Sequence, residues 1–267
     1  MNIHPTAIVA DGAKLADDVV IGPGSIISGE SEIAAGCRIG AHVILEHRVV
    51  LGEGTSVGHG TILGGNPQAV GFDQARRDTG VRIGKNNTIR EYVTINRATH
   101  KDTDSVVGDD NFLMTGCHLA HDCVIGNGVI LANTVLMAGH VRIDDGAFLG
   151  GGSVFHQFIH IGRLAMVRGG CRFSKNIPPF CVGAGTNLAM GLNAIGLRRA
   201  GFSADVRLQL KRAFRLVYLS DLNVSQALDA AEKEAWCSEA ECFFTFIRES
   251  KKRGICDYSG KESGADE

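Results

Sequence analysis

The residues best equipped for chemistry crowd one stretch of the 267-residue chain. Five of its ten histidines (His118, His121, His140, His156 and His160) fall between positions 118 and 160, and Cys117-His118-Leu119-Ala120-His121-Asp122-Cys123 is the densest run. A neutral imidazole can take a proton from an attacking hydroxyl or amine near pH 7. Asp122, next to His121, can orient such a ring and stabilise its cation. Gly139 has no side chain to shield its backbone N–H, which can donate to a tetrahedral oxyanion. Together these groups suit acyl transfer. No serine or cysteine is required as a covalent nucleophile, so direct transfer is the simpler scheme.

These residues must be positioned by a repeat. Every sixth residue from Val9 to Leu63 is aliphatic (Val9, Leu15, Ile21, Ile27, Ile33 and onward). The series resumes at Ile83–Ile95 and again from Val107 to Phe173. The residue two places earlier is mostly small, as at Ala7, Ser25, Cys37 and Thr55. Residues two apart on a strand share a face, so each hexad points one large and one small side chain inward. A strand-and-turn unit of six residues cannot bury that face alone and must stack on its own copies. Resemblance to hexapeptide-repeat proteins implies that three hexads close a triangular coil of eighteen residues, an all-β left-handed parallel β-helix. On that geometry His121, Gly139 and Gln157 stack along one edge at the ~4.8 Å spacing of strands, with His140 and His156 beside them.

Two segments interrupt the period, 64–82 and 96–106. Loops thrown out of a regular scaffold commonly carry binding function. The repeat ends near Pro178-Pro179. Of 35 glycines, 31 lie before residue 197, which marks a compositional change. The division expected is a β-helix over 1–187 and a small α-helical domain over 188–267. Helices are predicted at 203–219 with Ser203 as N-cap, at 224–235, and at 239–252 opened by a Ser238-x-x-Glu241 capping box. The tail from Gly254 is polar. Arg207, Lys211 and Arg215 form the one basic stripe, either a solvated helix face or a dock for an acidic partner.

Composition excludes several classes. The formal net charge of −2 disfavours nucleic acid as a partner. No apolar run approaches the ~18–20 residues of a membrane span. A start reading Met1-Asn2-Ile3-His4-Pro5 lacks signal-peptide character, so a cytoplasmic location is expected. Cys37, Cys117, Cys123 and Cys171 fall in the small inward slot and read as buried hydrophobes. No C-x-x-C occurs, and no resident metal or cofactor is expected. Zinc held by three histidines, as in gamma-class carbonic anhydrases, fits poorly: there two histidines lie five apart, whereas His118/His121 and His156/His160 are three and four apart. A purely structural β-helix would leave the histidines and interruptions without a role.

The stretch His118–Pro179 closely resembles the UDP-N-acetylglucosamine O-acyltransferases that open lipid A biosynthesis. The resemblance is carried by H-x-x-H-D-C at His118–Cys123, A-G-H-V at Ala138–Val141, H-Q-F at His156–Phe158 and Pro178-Pro179. I-R-E at Ile89–Glu91 and G-L-R-R-A-G-F at Gly196–Phe202 extend it, and in all it spans from His4 to about residue 253. It implies a cytoplasmic homotrimer of Gram-negative type, with active sites between subunits and helical C-terminal domains. The implied donor is a 3-hydroxyacyl thioester on acyl carrier protein, and the acceptor is the sugar 3-position. His121 becomes general base, Asp122 its partner and the Gly139 N–H the oxyanion donor. His118, His140, His156 and Gln157 would position substrates. Gln68 and Phe72 lie in the sugar loop, and Asn193 and Arg199 would reach the nucleotide. Arg172 occupies the position that gauges acyl length, where a long cation implies a shorter chain than fourteen carbons. The stripe Arg207/Lys211/Arg215 would meet the acidic carrier protein.

The resemblance has local departures. Where the family usually has P-Q-D-x-K-Y, the chain reads Pro67-Gln68-Ala69-Val70-Gly71-Phe72, and a usual glutamate is Ile195. A loop without those polar groups cannot strongly demand them of its ligand. That keeps open an N-acyltransferase acting on a UDP-2-acetamido-3-amino-sugar.

Overall fold

In the computed structural model, which describes residues 1–260, the hexads form two-residue strands around a three-sided, left-handed parallel β-helix. Each strand pairs with the third one along, so the sides are sheets of 12, 9 and 8 strands. Val20 faces Arg38, Ile26 faces Ile44 and Lys14 faces Glu32, each eighteen residues on. The large inward residues fill the prism: Ile21, Ile27, Leu45, Leu51 and Leu63 are buried. Inward hydroxyls such as Ser25 and Thr55 are satisfied by the neighbouring coil, donating to Gly40 O and Gly84 O, whereas the buried Ser31 hydroxyl has no partner among the described residues. Cys37, Cys117, Cys123 and Cys171 occupy the small slot and are buried free thiols.

The register measures the two interruptions. Thr94 pairs with Ile62, 32 residues on rather than eighteen, which leaves fourteen to spare: residues 66–79. His118 pairs with Thr94, 24 residues on, leaving six, ejected between Asn96 and Asp104. The limits 64–82 and 96–106 expected from the sequence are therefore too wide. Gly65 pairs with Asn96, and Gly80 pairs with both Arg48 and Asp104. Strand pairing needs only backbone groups, so it continues where the apolar signature has already lapsed.

The first loop is built on a buried cation. Arg97, fully buried, donates to Asn66 Oδ1 (2.9 and 3.1 Å) and to Thr79 Oγ1 (2.8 Å), and its guanidinium lies 5.0 Å from the centre of the Phe72 ring. The tip beyond it is free: Val70 is exposed, and a Cβ at Gly71 would touch nothing.

At the far end Cys181–Ala184 and Leu188–Leu192 form an antiparallel pair, and Asp257–Tyr258 returns to lie parallel to the second strand. A division at 187 falls inside this hairpin. Four helices follow: α1 Ala194–Arg199, α2 Ala204–Tyr218, α3 Val224–Ala231 and α4 Ser238–Glu249. Ser203 caps α2 by accepting from Val206 N, and Leu210, Phe214 and Val217 are buried, as their spacing predicts. α3 stops short of 235 because the Trp236 indole donates to Ala231 O. The expected Ser238 capping box does not form. Gln209 of α2 accepts from Cys237 N, Cys237 becomes the N-cap, and Ser238 is already the first helical residue. Residues 254–260 are not a loose tail: Ile255 and Cys256 are buried, and Cys256 N donates to Asn176 O. The last seven residues of that expected tail, 261–267, lie outside the described part.

Candidate active site

One corner of the prism collects the chemistry. Asp122, His140 and Phe158 occupy equivalent positions on successive coils, with φ of 60°, 60° and 66°. An L-residue in this left-handed region costs roughly 1–2 kcal/mol. At equivalent turns elsewhere, such as Gly36 and Gly54, glycine avoids that cost. Non-glycine residues adopt the same conformation at other turns, such as Asn86, Asp110 and Leu164, so it is a feature of the coil's turns and not of this corner alone.

One place earlier on each coil come His121, Gly139 and Gln157. His121 Nδ1 lies 2.7 Å from Asp122 Oδ2. The hydrogen bond to the carboxylate makes Nδ1 the proton-bearing nitrogen and leaves Nε2 as the free acceptor. A Cβ built on Gly139 would sit 2.4 Å from His121 Cε1 and 2.7 Å from Nε2. The glycine is what lets the ring lie flat beneath the next coil. Its own N–H makes no backbone hydrogen bond among the described residues.

Asp122 is held by the second ejected loop. Thr99 donates to it from its hydroxyl (2.6 Å) and from its backbone N–H (3.0 Å), and His100 Nδ1 lies 3.3 Å away. Burial alone would raise the Asp122 carboxyl, but the hydrogen bonds from Thr99, His121 and His100 outweigh it and bring it down to about 2. The carboxylate stays ionised to orient the imidazole. The neighbouring thiols are inert: burial pushes Cys117 up to about 11 and Cys123 up to about 12, so neither supplies a thiolate nucleophile. Burial pulls His118 down, and its Nδ1 contacts Thr94 Oγ1 at 2.7 Å.

A cleft of about 650 Å³ opens onto His121. It brings together Gln68, His118, His121, Gly139, His156, Gln157 and Arg172. One wall is a column of outward residues in register, His118, Leu136, Val154 and Arg172, with Thr186 beyond. Its middle is apolar, and Leu136 is exposed there although it is a large aliphatic residue. Asp122 and His140 stand behind and beside His121 rather than in the wall.

Other expected residues lie elsewhere in the chain. Phe72 is sandwiched between the guanidiniums of Arg97 and Arg76, 5.0 and 5.6 Å from its ring centre, and does not line the cleft. Asn193 is the N-cap of α1, accepting from Gly196 N and donating to Leu164 O, so both ends of its amide are engaged. Arg199 sits exposed in the last turn of α1. Of Arg207, Lys211 and Arg215, the last two are exposed. With Arg198 all three rim a second cavity, of about 660 Å³, floored by Leu192, Leu197 and Phe214. Sequence reasoning missed Thr99, His100 and Arg198. The first two lie in a segment already marked as an interruption, which was the available signal.

Comparison with known proteins decides the family. Residues 176–256 match the family model for domain 2 of UDP N-acetylglucosamine O-acyltransferase, and residues 104–139 match the bacterial transferase hexapeptide model. The acyl-[acyl-carrier-protein]--UDP-N-acetylglucosamine O-acyltransferase of Thermodesulfovibrio yellowstonii is 42% identical over 257 residues, covering 95% of this chain and 98% of that protein. The chain belongs to the UDP-N-acetylglucosamine O-acyltransferase family. The crystal structure of the family member from Bacteroides fragilis superposes with a TM-score of 0.89 at 40% identity, over 94% of this chain and 98% of that one. The Francisella novicida UDP-N-acetylglucosamine acyltransferase gives 0.91 at 30% identity, over 99% and 97%. Among the described residues no helix is long and apolar enough to cross a membrane.

Proposed function

We propose that the protein transfers a 3-hydroxyacyl chain from acyl carrier protein to the 3-hydroxyl of UDP-N-acetylglucosamine, the first step of lipid A biosynthesis. The observation that carries this reading is His121, bound through Nδ1 to an ionised Asp122 and presenting Nε2 to the cleft beside the Gly139 N–H. Nε2 takes the proton of the sugar hydroxyl as its oxygen attacks the thioester carbonyl. The Gly139 N–H donates to the oxyanion that develops. As the intermediate collapses, the C–S bond breaks and the imidazolium returns the proton to the departing thiolate. No cofactor takes part beyond the carrier-protein thioester.

The wall from His118 to Arg172 suits the acyl chain. Three strand spacings, about 14 Å, separate those two residues. The apolar stretch of Leu136 and Val154 then ends on a cation. Arg172 is exposed at the end of that run, where its length can close the groove, so a donor shorter than fourteen carbons is favoured. The cavity rimmed by Arg198, Arg207, Lys211 and Arg215 supports docking of an acidic carrier protein, its apolar floor adding contact to charge. Arg199, exposed and not among the residues that line the cleft of its own chain, fits a homotrimer in which a second copy brings it, with Asn193 at the start of the same helix, to the nucleotide. A cytoplasmic location is part of this proposal.

The test is a competition of UDP-N-acetylglucosamine against its 3-amino analogue, with acyl carrier protein thioesters of graded length and products identified by mass spectrometry. Ester product from the shorter donors is expected. Exclusive amide product would move the assignment to the N-acyltransferase.

A further inference from the structure

His100 stands 22 residues from Asp122 in sequence but against it in space. His100 Nδ1 lies 3.3 Å from Asp122 Oδ1, and His140 Nε2 lies 3.6 Å from Asp122 Oδ2. A ligand atom from each of the three falls within 4.8 Å of the other two. The two imidazoles meet nearly edge to face, ring centres 5.5 Å apart at 71°. His140 is fixed from behind by Phe158, stacked at 4.4 Å and 10°. The 3.6 Å separation is too long for a hydrogen bond. It does match two ligands of one ion, since bonds of about 2.0–2.1 Å in a tetrahedral arrangement put neighbouring donor atoms about 3.4 Å apart. Two imidazoles and a carboxylate suit zinc, cobalt or nickel rather than magnesium. His100 is 69% exposed at its side chain, so an ion can enter from solvent and keep a water as its fourth ligand.

We propose that His100, Asp122 and His140 form an inhibitory site for a zinc-class divalent ion, which stops acyl transfer by capturing the carboxylate that orients His121. The ion is a regulator or poison here, not a participant. The ion also draws Asp122 away from His121 Nδ1, so the base loses the partner that fixes its tautomer. Only the effect on turnover rests on the proposed acyltransferase reading; binding of the ion does not.

The experiment uses the full chain with buffered free Zn²⁺. Co²⁺ is a spectroscopic probe and Mg²⁺ a control. One Zn²⁺ per chain is expected by calorimetry, with visible absorption from Co²⁺ in the same stoichiometry and nothing from Mg²⁺. Zn²⁺ should inhibit transfer, and a chelator should restore it. His100→Asn should weaken Zn²⁺ binding and raise the half-inhibitory concentration at least ~10-fold, the loss expected when a metal site is incomplete, each variant being scaled to its own metal-free rate. Equal Zn²⁺ affinity in His100→Asn and the parent overturns the site. So does binding that vanishes in Cys242→Ser, which would place the ion on the exposed thiol. Binding without inhibition retains the site but refutes its inhibitory role.

Discussion

The corner at 121–158 and the loop at 66–79 hold their functional side chains in opposite ways. At the corner the eighteen-residue register is reinforced by hydrogen bonds between successive coils. His140 N donates to His121 O, and Phe158 N donates to Gly139 O. The loop is held at its base, where Arg97 grips Asn66, Thr79 and the Phe72 face, His47 meets Asn66 and Arg76 donates to Thr99 O, and its tip from Gln68 to Gly71 leans on little. The proposed chemistry sits on the rigid part, and the part expected to recognise the sugar sits on the adjustable part. A base and an oxyanion donor must be placed within fractions of an ångström, whereas a recognition loop can tolerate replacement. The departures from the family pattern at Ala69, Gly71 and Phe72 all fall in the loop.

The largest expected effect tests the corner. His121→Ala should lower turnover at least ~10²-fold with circular dichroism and oligomeric state retained. Near-normal turnover in a folded assembly would remove the base from the mechanism. Gly139→Ala should also lower turnover, by roughly 10–10²-fold, because the new methyl displaces the His121 ring. A crystal structure of that variant with the ring in place and activity intact would show that the corner is looser than described.

Asp122→Asn probes the same corner through stability. The carboxyl titrates near about 2 in the folded protein against about 3.9 in an unfolded chain. Its contribution, roughly 2 kcal/mol, is therefore present above pH 4 and lost as pH falls towards 2. Denaturant titrations should show the parent losing stability across that window and the variant losing less. Parallel curves would mean that the Thr99 and His121 hydrogen bonds do not hold the carboxylate.

Arg97→Ala tests the loop. Freed from its anchor, the loop should raise KM for the nucleotide sugar about tenfold while turnover at saturation changes little. Equal losses in both would show that the loop also positions the reacting hydroxyl. The smallest expected effect belongs to Arg172→Gly, which should move donor preference towards longer chains by up to about fourfold for each methylene that becomes buried, at about 0.8 kcal/mol each. Unchanged preference would place that guanidinium in solvent rather than across the groove.

The sequence determined the coil. A period of six with one large and one small inward residue gave the strand positions and the core residues, while the stacking of His121, Gly139 and Gln157 also needed the three-sided coil that resemblance to hexapeptide-repeat proteins implied. The helix stripe at Val206–Val217 was legible for the same reason. Tertiary structure alone decided where the pattern is silent. Backbone pairing carried Gly64, Gly65 and Gly80–Arg82 into the sheets, a Gln209 side chain moved the start of α4 by one residue, and the 254–260 segment was drawn into the core by Cys256. Thr99 and His100 reach Asp122 because six surplus residues fold back over the next coil. Local spacing encodes which face of a strand is buried. It does not encode where a loop of non-repeating sequence lands, because that is set by contacts among residues far apart in the chain.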